Sequence, residues 1–360
     1  MSFQIPIRPN IQKMNPYVPG KPIDEVEREL GITGVSKLAS NENPLGPSPK
    51  VYEALVIGAK SVHRYPDGSA FLLKKALAKY LNIKEESLLL GNGSNELLIL
   101  LAEAVLTPET EVLYAVPSFV VYPIATQLFG AIATPIPLYE NKHDLKAFAN
   151  ALSSKTRLVF ICNPNNPTGT MVSLLAIEAF LKICPPTVLV VLDEAYYEYV
   201  EEKTYFESLQ LLNRYSNLVI LRTFSKVFGL AGLRIGYGMA RPELVDAIQR
   251  FRQPFSINSL ALTAAEAALQ DRSHLSKVVQ LNKAMREKIQ NGLKQLGILA
   301  IPSQANFVYF HIQNSSAIYE KLLNQGVIVR QFGPEALRVS TGTEEETERF
   351  LISFKNAIAK

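Results

Sequence analysis

Cysteine is nearly absent: Cys162 and Cys184 are the two in 360 residues. They stand in no metal-binding spacing, so reduced, buried thiols in a reducing compartment are expected and no metal site is. No run approaches the ~20 apolar residues of a membrane span; Leu97 to Leu106 is short and Glu103 interrupts it. Met1 to Pro22 lacks the apolar core of a signal peptide, which points to the cytoplasm. Neither sign of charge is in marked excess, and a net +4 is too small and dispersed for a nucleic-acid surface. Repeats and low-complexity tracts are missing as well.

What is present is a globular composition, 48% hydrophobic and 19% charged residues. The length suits one large or two ordinary domains. A proline- and glycine-rich opening, Ile5 to Gly20, reads as an extended arm before a helix around Ile23 to Leu30. From Leu38 to about Phe255, short apolar runs alternate with amphipathic helices such as Leu72 to Leu81 and Ala176 to Ile183. That alternation predicts a doubly wound α/β domain. Asn258 to Gln270 and Leu275 to Leu296 follow as helices. Strands at Phe307 to Ile312, Val327 to Val329 and Leu337 to Val339, with helices from Ser316 and Glu344, make a second, smaller α/β unit.

Three segments carry chemistry. In Thr223-Phe224-Ser225-Lys226, a lysine stands among small and apolar neighbours, with Arg234 eight positions on. Desolvation disfavours an ammonium and suits a lysine that condenses with an aldehyde. Ser225 and Arg234 are the hydroxyl donor and planar cation that a phosphate ester requires. Aldehyde and phosphate ester together describe pyridoxal 5′-phosphate. The run Arg157 to Cys162 reads as a buried strand, ended by the turn Asn163-Pro164-Asn165-Asn166-Pro167-Thr168-Gly169. Val188 to Leu192 reads as a strand covered on both faces, with Asp193 at its carboxyl end, where open α/β sheets bind ligands. A carboxylate there needs a donor, and a pyridinium N–H supplies one. Alone, Lys226 has the ordinary reading of a solvated lysine, Asn166 of a turn residue and Asp193 of a helix cap.

In this order the segments resemble those of the fold-type I pyridoxal-phosphate-dependent aminotransferases, over nearly the whole chain from Tyr17 to Gly342. The likeness is strongest to the branch that acts on histidinol phosphate. It implies a large, doubly wound, mostly parallel sheet domain at 38–274 and a smaller α/β domain at 275–360. A bridging helix at about 275–296 and an amino-terminal arm at 1–37 beside the smaller domain complete the expected division. Lys226 becomes the covalent anchor of the cofactor and the carrier of the proton between Cα and C4′. Asp193 pairs with the ring nitrogen; Asn166 and Tyr196 donate to the ring's 3′ oxygen; Ser225 and Arg234 hold the phosphate. The stretch Leu88-Leu89-Leu90-Gly91-Asn92-Gly93 opens a helix, and the resemblance puts the amides of Ser94 and Asn95 on that phosphate as well. Many relatives carry Asp at Asn95. Phe119 falls where relatives stack a tyrosine on the ring, a task that needs a π-face and no hydroxyl; its alternative is plain core packing.

The resemblance also implies a homodimer with shared active sites, Tyr65 being donated to the partner's phosphate site. Arg338 matches the carboxylate-binding arginine, and Arg330 and Tyr17 resemble further ligands of the substrate phosphate. Packing remains the alternative for both tyrosines, and a solvated strand-edge charge for either arginine. The expected reaction passes an amino group between L-histidinol phosphate and 2-oxoglutarate, with glutamate as the other product. An aromatic aminotransferase and a phosphothreonine decarboxylase share much of this motif set. A transcriptional regulator of the same fold is not expected, because the pattern begins by Tyr17 and leaves no room for a DNA-binding domain.

Overall fold

Residues alternate across the strands, and the two sets of side chains pack into different cores. In Thr156–Cys162, Val159 and Ile161 join a cluster on one face of the sheet while Leu158, Phe160 and Cys162 join another on the opposite face. The same split holds for Val190 and Leu192 against Leu189 and Val191. A strand covered on both faces must be apolar throughout, and this explains the unbroken hydrophobic runs.

The computed structural model describes residues 5–17, 20–205 and 207–359. Its strands are β1 (Ser36–Lys37), β2 (Leu88–Gly91), β3 (Glu111–Val116), β4 (Ile132–Pro137), β5 (Thr156–Cys162) and β6 (Leu189–Asp193). There follow β7 (Leu218–Thr223), β8 (Gly236–Met239), β9 (Phe307–His311), β10 (Val327–Ile328), β11 (Arg330–Gln331) and β12 (Ala336–Ser340). Among the described residues, seven strands form one sheet in the order β2-β8-β7-β6-β5-β3-β4. Six run in the same direction, while β8 is antiparallel to both of its neighbours. Helices Phe71–Leu81 and Leu174–Ile183 cover one face, and Gly93–Val105 and Val121–Leu128 the other, so the fold is a doubly wound, mostly parallel α/β type. Pro135 and Pro137 are tolerated in β4 because it is an edge strand.

A three-stranded antiparallel sheet, β11-β12-β9, and a parallel pair, β1-β10, lie with the carboxyl-terminal helices. Leu38, Val308, Phe310, Phe350 and Phe354 share their core. Helix Arg272–Gln295 contributes Val278 to the large-sheet core and Ile289 and Leu293 to this one. The helix at Ile23–Leu30 matches its expected bounds. The arm is less extended than its composition predicts, because Pro9–Gln12 closes a helical turn with proline at its start. Its residues 1–4 and 18–19 lie outside the described residues.

Candidate active site

At the carboxyl ends of β5, β6 and β7, register sets Cys162 beside Asp193. The loop after β7 then brings Lys226 over the same spot. The result is a cavity of about 240 Å³, lined by residues from both sheets and from the segment after β1. Lys226 Nζ donates to the Ser40 carbonyl oxygen at 3.1 Å and stands 5.7 Å from the Tyr196 ring. Burial, aided by the Arg338 charge, lowers its ammonium from 10.5 to about 8. Asp193 is 2% exposed. Its Oδ2 accepts from the Tyr122 hydroxyl at 2.9 Å and its Oδ1 from the Ala195 amide at 3.1 Å. Burial raises the carboxyl to about 6, with those two hydrogen bonds opposing the rise.

The far end of the cavity is built to receive an anion. β2 turns through Gly91 and Asn92 into helix Gly93–Val105, whose first-turn amides have no acceptor within the helix. Gly93 sits at φ +77°, and a Cβ on it would stand 2.7 Å from Arg234 Nη2. Arg234 Nη1 donates to Ser225 Oγ at 3.4 Å, so hydroxyl, guanidinium and helix start converge. Ser94, Asn95 and Phe119 line this cavity, with Phe119 edge-on to Tyr122.

The opposite wall carries the arginines. β11 and β12 pair Arg330 with Arg338 in register. The Arg338 guanidinium donates to Asn166 Oδ1 and to the Ala39 carbonyl oxygen, each at 2.5 Å, and lies near the rings of Phe307 and Phe332. Its Nε is buried with no partner, and no carboxylate among the described residues pairs with it. Burial lowers the pKa of its guanidinium from 12.5 to about 10. Tyr17 lines the same wall, 5.8 Å from the Arg330 guanidinium.

The structure therefore gathers Tyr17, Ser94, Asn95, Phe119, Asn166, Asp193, Tyr196, Ser225, Lys226, Arg234, Arg330 and Arg338 in one cavity. Tyr65 is not among them. It is 83% exposed and stacks on Phe255, with centroids 4.9 Å apart. Sequence reading missed Asn41, a buried residue whose Nδ2 donates to Tyr196 Oη at 2.9 Å. Asn41 belongs to a polar run that reads as loop, and its partner is 155 positions away. It missed Tyr122 too, although that residue lies one helical turn after Phe119. Among the described residues no group of three or more His, Cys, Asp or Glu is arranged to hold a metal, and no helix is long and apolar enough to cross a membrane.

Buried lysine, strand-end carboxylate and anion-receiving helix start define an α/β enzyme of group transfer. Residues 33–354 match the family model for aminotransferases of class I and II, and the chain belongs to that family. It is 47% identical to the histidinol-phosphate aminotransferase of Moorella thermoacetica, covering 98% of this chain and 93% of that protein. It is 50% identical to histidinol-phosphate aminotransferase 1 of Nitrosococcus oceani, over 95% and 94% of the two chains. A crystal structure of the Sinorhizobium meliloti histidinol-phosphate aminotransferase in complex with pyridoxal 5′-phosphate superimposes with a TM-score of 0.91. That match has 28% identity and covers 98% of this chain and 97% of the other.

Proposed function

We propose that this protein transfers an amino group between L-histidinol phosphate and 2-oxoglutarate, with pyridoxal phosphate as cofactor, giving imidazole acetol phosphate and L-glutamate in histidine biosynthesis. One observation carries the reading: a desolvated lysine, a buried carboxylate, an anion cradle and two arginines share a cavity in a chain about half identical to proteins of that name. The residues fit the cofactor. The cradle at Gly93, Ser94, Asn95, Ser225 and Arg234 suits its phosphate, and Lys226 and Asp193 suit its aldehyde and its ring nitrogen.

Bound there, pyridoxal phosphate supplies an electron sink for the substrate Cα as its proton leaves. Lys226 Nζ, with a larger neutral share than a solvated lysine, would hold the cofactor through its aldehyde and would serve as the base that takes up the substrate Cα proton. Asp193 would accept from the ring N–H and hold that proton in place. Tyr196 Oη already accepts from Asn41, which leaves its own proton to donate to the ring's 3′ oxygen. Asn166 Oδ1 is taken by Arg338, which leaves its amide protons for the same oxygen. Phe119 would cover a face of the ring. Arg338, buried without a carboxylate, receives the glutamate α-carboxylate and the histidinol-phosphate phosphate, and Arg330 and Tyr17 add to the second of these.

The same reading takes residues 38–274 as the cofactor-binding domain and 275–360 as the smaller one, joined by the long helix, with 1–37 as an arm. Pairing of β1 with β10 supports the arm's attachment. It takes the protein as a cytoplasmic homodimer, with Cys162 and Cys184 as reduced thiols and Tyr65 reaching the partner's phosphate site. The test is spectroscopic. Glutamate added to the purified holoprotein should convert the cofactor to its pyridoxamine form, and histidinol phosphate should react faster than phenylalanine or tyrosine. Faster turnover of the aromatic amino acids would rename it an aromatic aminotransferase, and release of CO₂ from phosphothreonine a decarboxylase.

A further inference from the structure

Tyr122 is fully buried on helix Val121–Leu128, and none of the chemistry above uses it. Its hydroxyl donates to Asp193 Oδ2 at 2.9 Å. Its ring stacks on Phe160 of β5, with centroids 4.6 Å and planes 13° apart, and meets Phe119 edge-on at 5.7 Å and 84°. We propose that Tyr122 is a positioning residue that keeps Asp193 charged and correctly aimed at the cofactor ring nitrogen while its own ring buttresses Phe119. This rests on the pyridoxal-phosphate reading of the cavity.

A carboxylate taken out of water needs donors, and a hydrogen bond to the charged form favours that form. Asp193 has two such donors: the Ala195 amide fixes Oδ1 and the Tyr122 phenol fixes Oδ2, so the carboxylate plane is set from two sides. The groups facing it are Tyr122, Cys162 of β5, Tyr196, Lys226 of the loop after β7, and the adjacent Glu194. Glu194 is bound to Arg222 at 2.8 Å, and burial pushes the Cys162 thiol up to about 12, which keeps it neutral. Burial also holds the Tyr122 phenol well above its ordinary value, so it remains a donor at any working pH. A tyrosine that only filled the core would need no hydroxyl.

Tyr122→Phe keeps the ring and removes that hydroxyl. Cofactor affinity is measured on the reconstituted enzyme from pH 6 to 8.5, with the ¹⁵N resonance of labelled pyridoxal phosphate as a second readout. Without the phenol, Asp193 protonates at higher pH. Affinity should fall about fivefold at pH 6 for a one-unit rise from the Asp193 value of about 6. It should fall far less at pH 8.5, and the ring nitrogen should lose its proton at a lower pH than in wild type. In an Asp193→Asn background the same substitution should produce no pH-dependent change. Equal losses at both pH values, or a ring-nitrogen titration identical to wild type, would overturn the proposal. Asp193→Ala separates the failures. If it shifts the ¹⁵N resonance and Tyr122→Phe does not, only the Tyr122 role is lost. If it too leaves the resonance unchanged, the assignment of Asp193 to the ring nitrogen is lost with it.

Discussion

Lys226 owes its reactivity to its neighbours. At pH 7, one unit below its value of about 8, roughly a tenth of it is neutral, against a far smaller share for a solvated lysine. Lys226→Ala should fold and still take up the cofactor through the phosphate cradle, but the absorbance of the covalent linkage should vanish on reconstitution. Turnover should drop by at least the ~10²–10⁴-fold that a positioned base contributes. Persistence of that absorbance would identify another lysine as the anchor. The two arginines should separate by substrate. Arg338→Ala removes the buried guanidinium and should damage both half-reactions. Arg330→Ala should damage the histidinol-phosphate half-reaction more than the glutamate one. Charge-assisted hydrogen bonds of ~1.5–3 kcal/mol correspond to losses of about ten- to 150-fold in kcat/KM. Intact histidinol-phosphate turnover in Arg330→Ala would remove that residue from the phosphate site.

Two local elements make their own demands. The turn from β2 into helix Gly93–Val105 needs glycine at Gly93, for its φ of +77° and for the approach of Arg234. Gly93→Ala would cost ~1–2 kcal/mol of backbone strain and displace the guanidinium. Cofactor titration should show weaker binding with Lys226 chemistry otherwise intact at saturation. Beneath the sheet, the turn Tyr197–Tyr199 holds Glu198 near the buried Glu194–Arg222 pair. Burial raises the Glu198 carboxyl from 4.5 to about 7, with Arg222 opposing, and its Oε2 has no hydrogen-bond partner. A raised folded-state value means the folded protein binds the extra proton between those limits. Stability from this group is full below pH 4.5 and is lost as pH rises through 7. Glu198→Gln should therefore be stabilised over wild type by about 1–3 kcal/mol at pH 8 and little at pH 4.5. Denaturant unfolding at the two pH values measures this, and an equal difference at both would contradict it.

For the whole molecule, Tyr65 poses the question of assembly. It is exposed and does not line its own chain's cavity, and Tyr52, Val56, Ile57 and Val62 on the preceding helix and turn are exposed with it. Exposed apolar surface of this kind is consistent with the proposed subunit interface. If Tyr65 serves the partner's phosphate site, mixing Tyr65→Ala with Lys226→Ala under subunit exchange should recover activity that neither variant has alone. A hybrid dimer then contains one site in which both residues are native. No recovery in a mixture shown by native mass spectrometry to contain hybrids would confine each site to one chain.

Periodicity and composition alone determined the doubly wound sheet, the long helix and strands such as β5, β6, β9 and β12, because burial on two faces leaves continuous apolar runs. Local chemistry likewise marked Lys226, Asp193 and the glycine turn, since each needs particular neighbours within a few positions. Strands of two residues, β1 and β11, left no such signal. Nor did the contacts that complete the site: Asn41 with Tyr196, Arg338 with Asn166, and Ser340 Oγ with Asn41, separated by 155, 172 and 299 positions. A hydrogen bond between distant side chains imposes no spacing on the chain near either partner. Only tertiary packing decides which buried polar atoms meet, and here that packing turned separate motifs into one cavity.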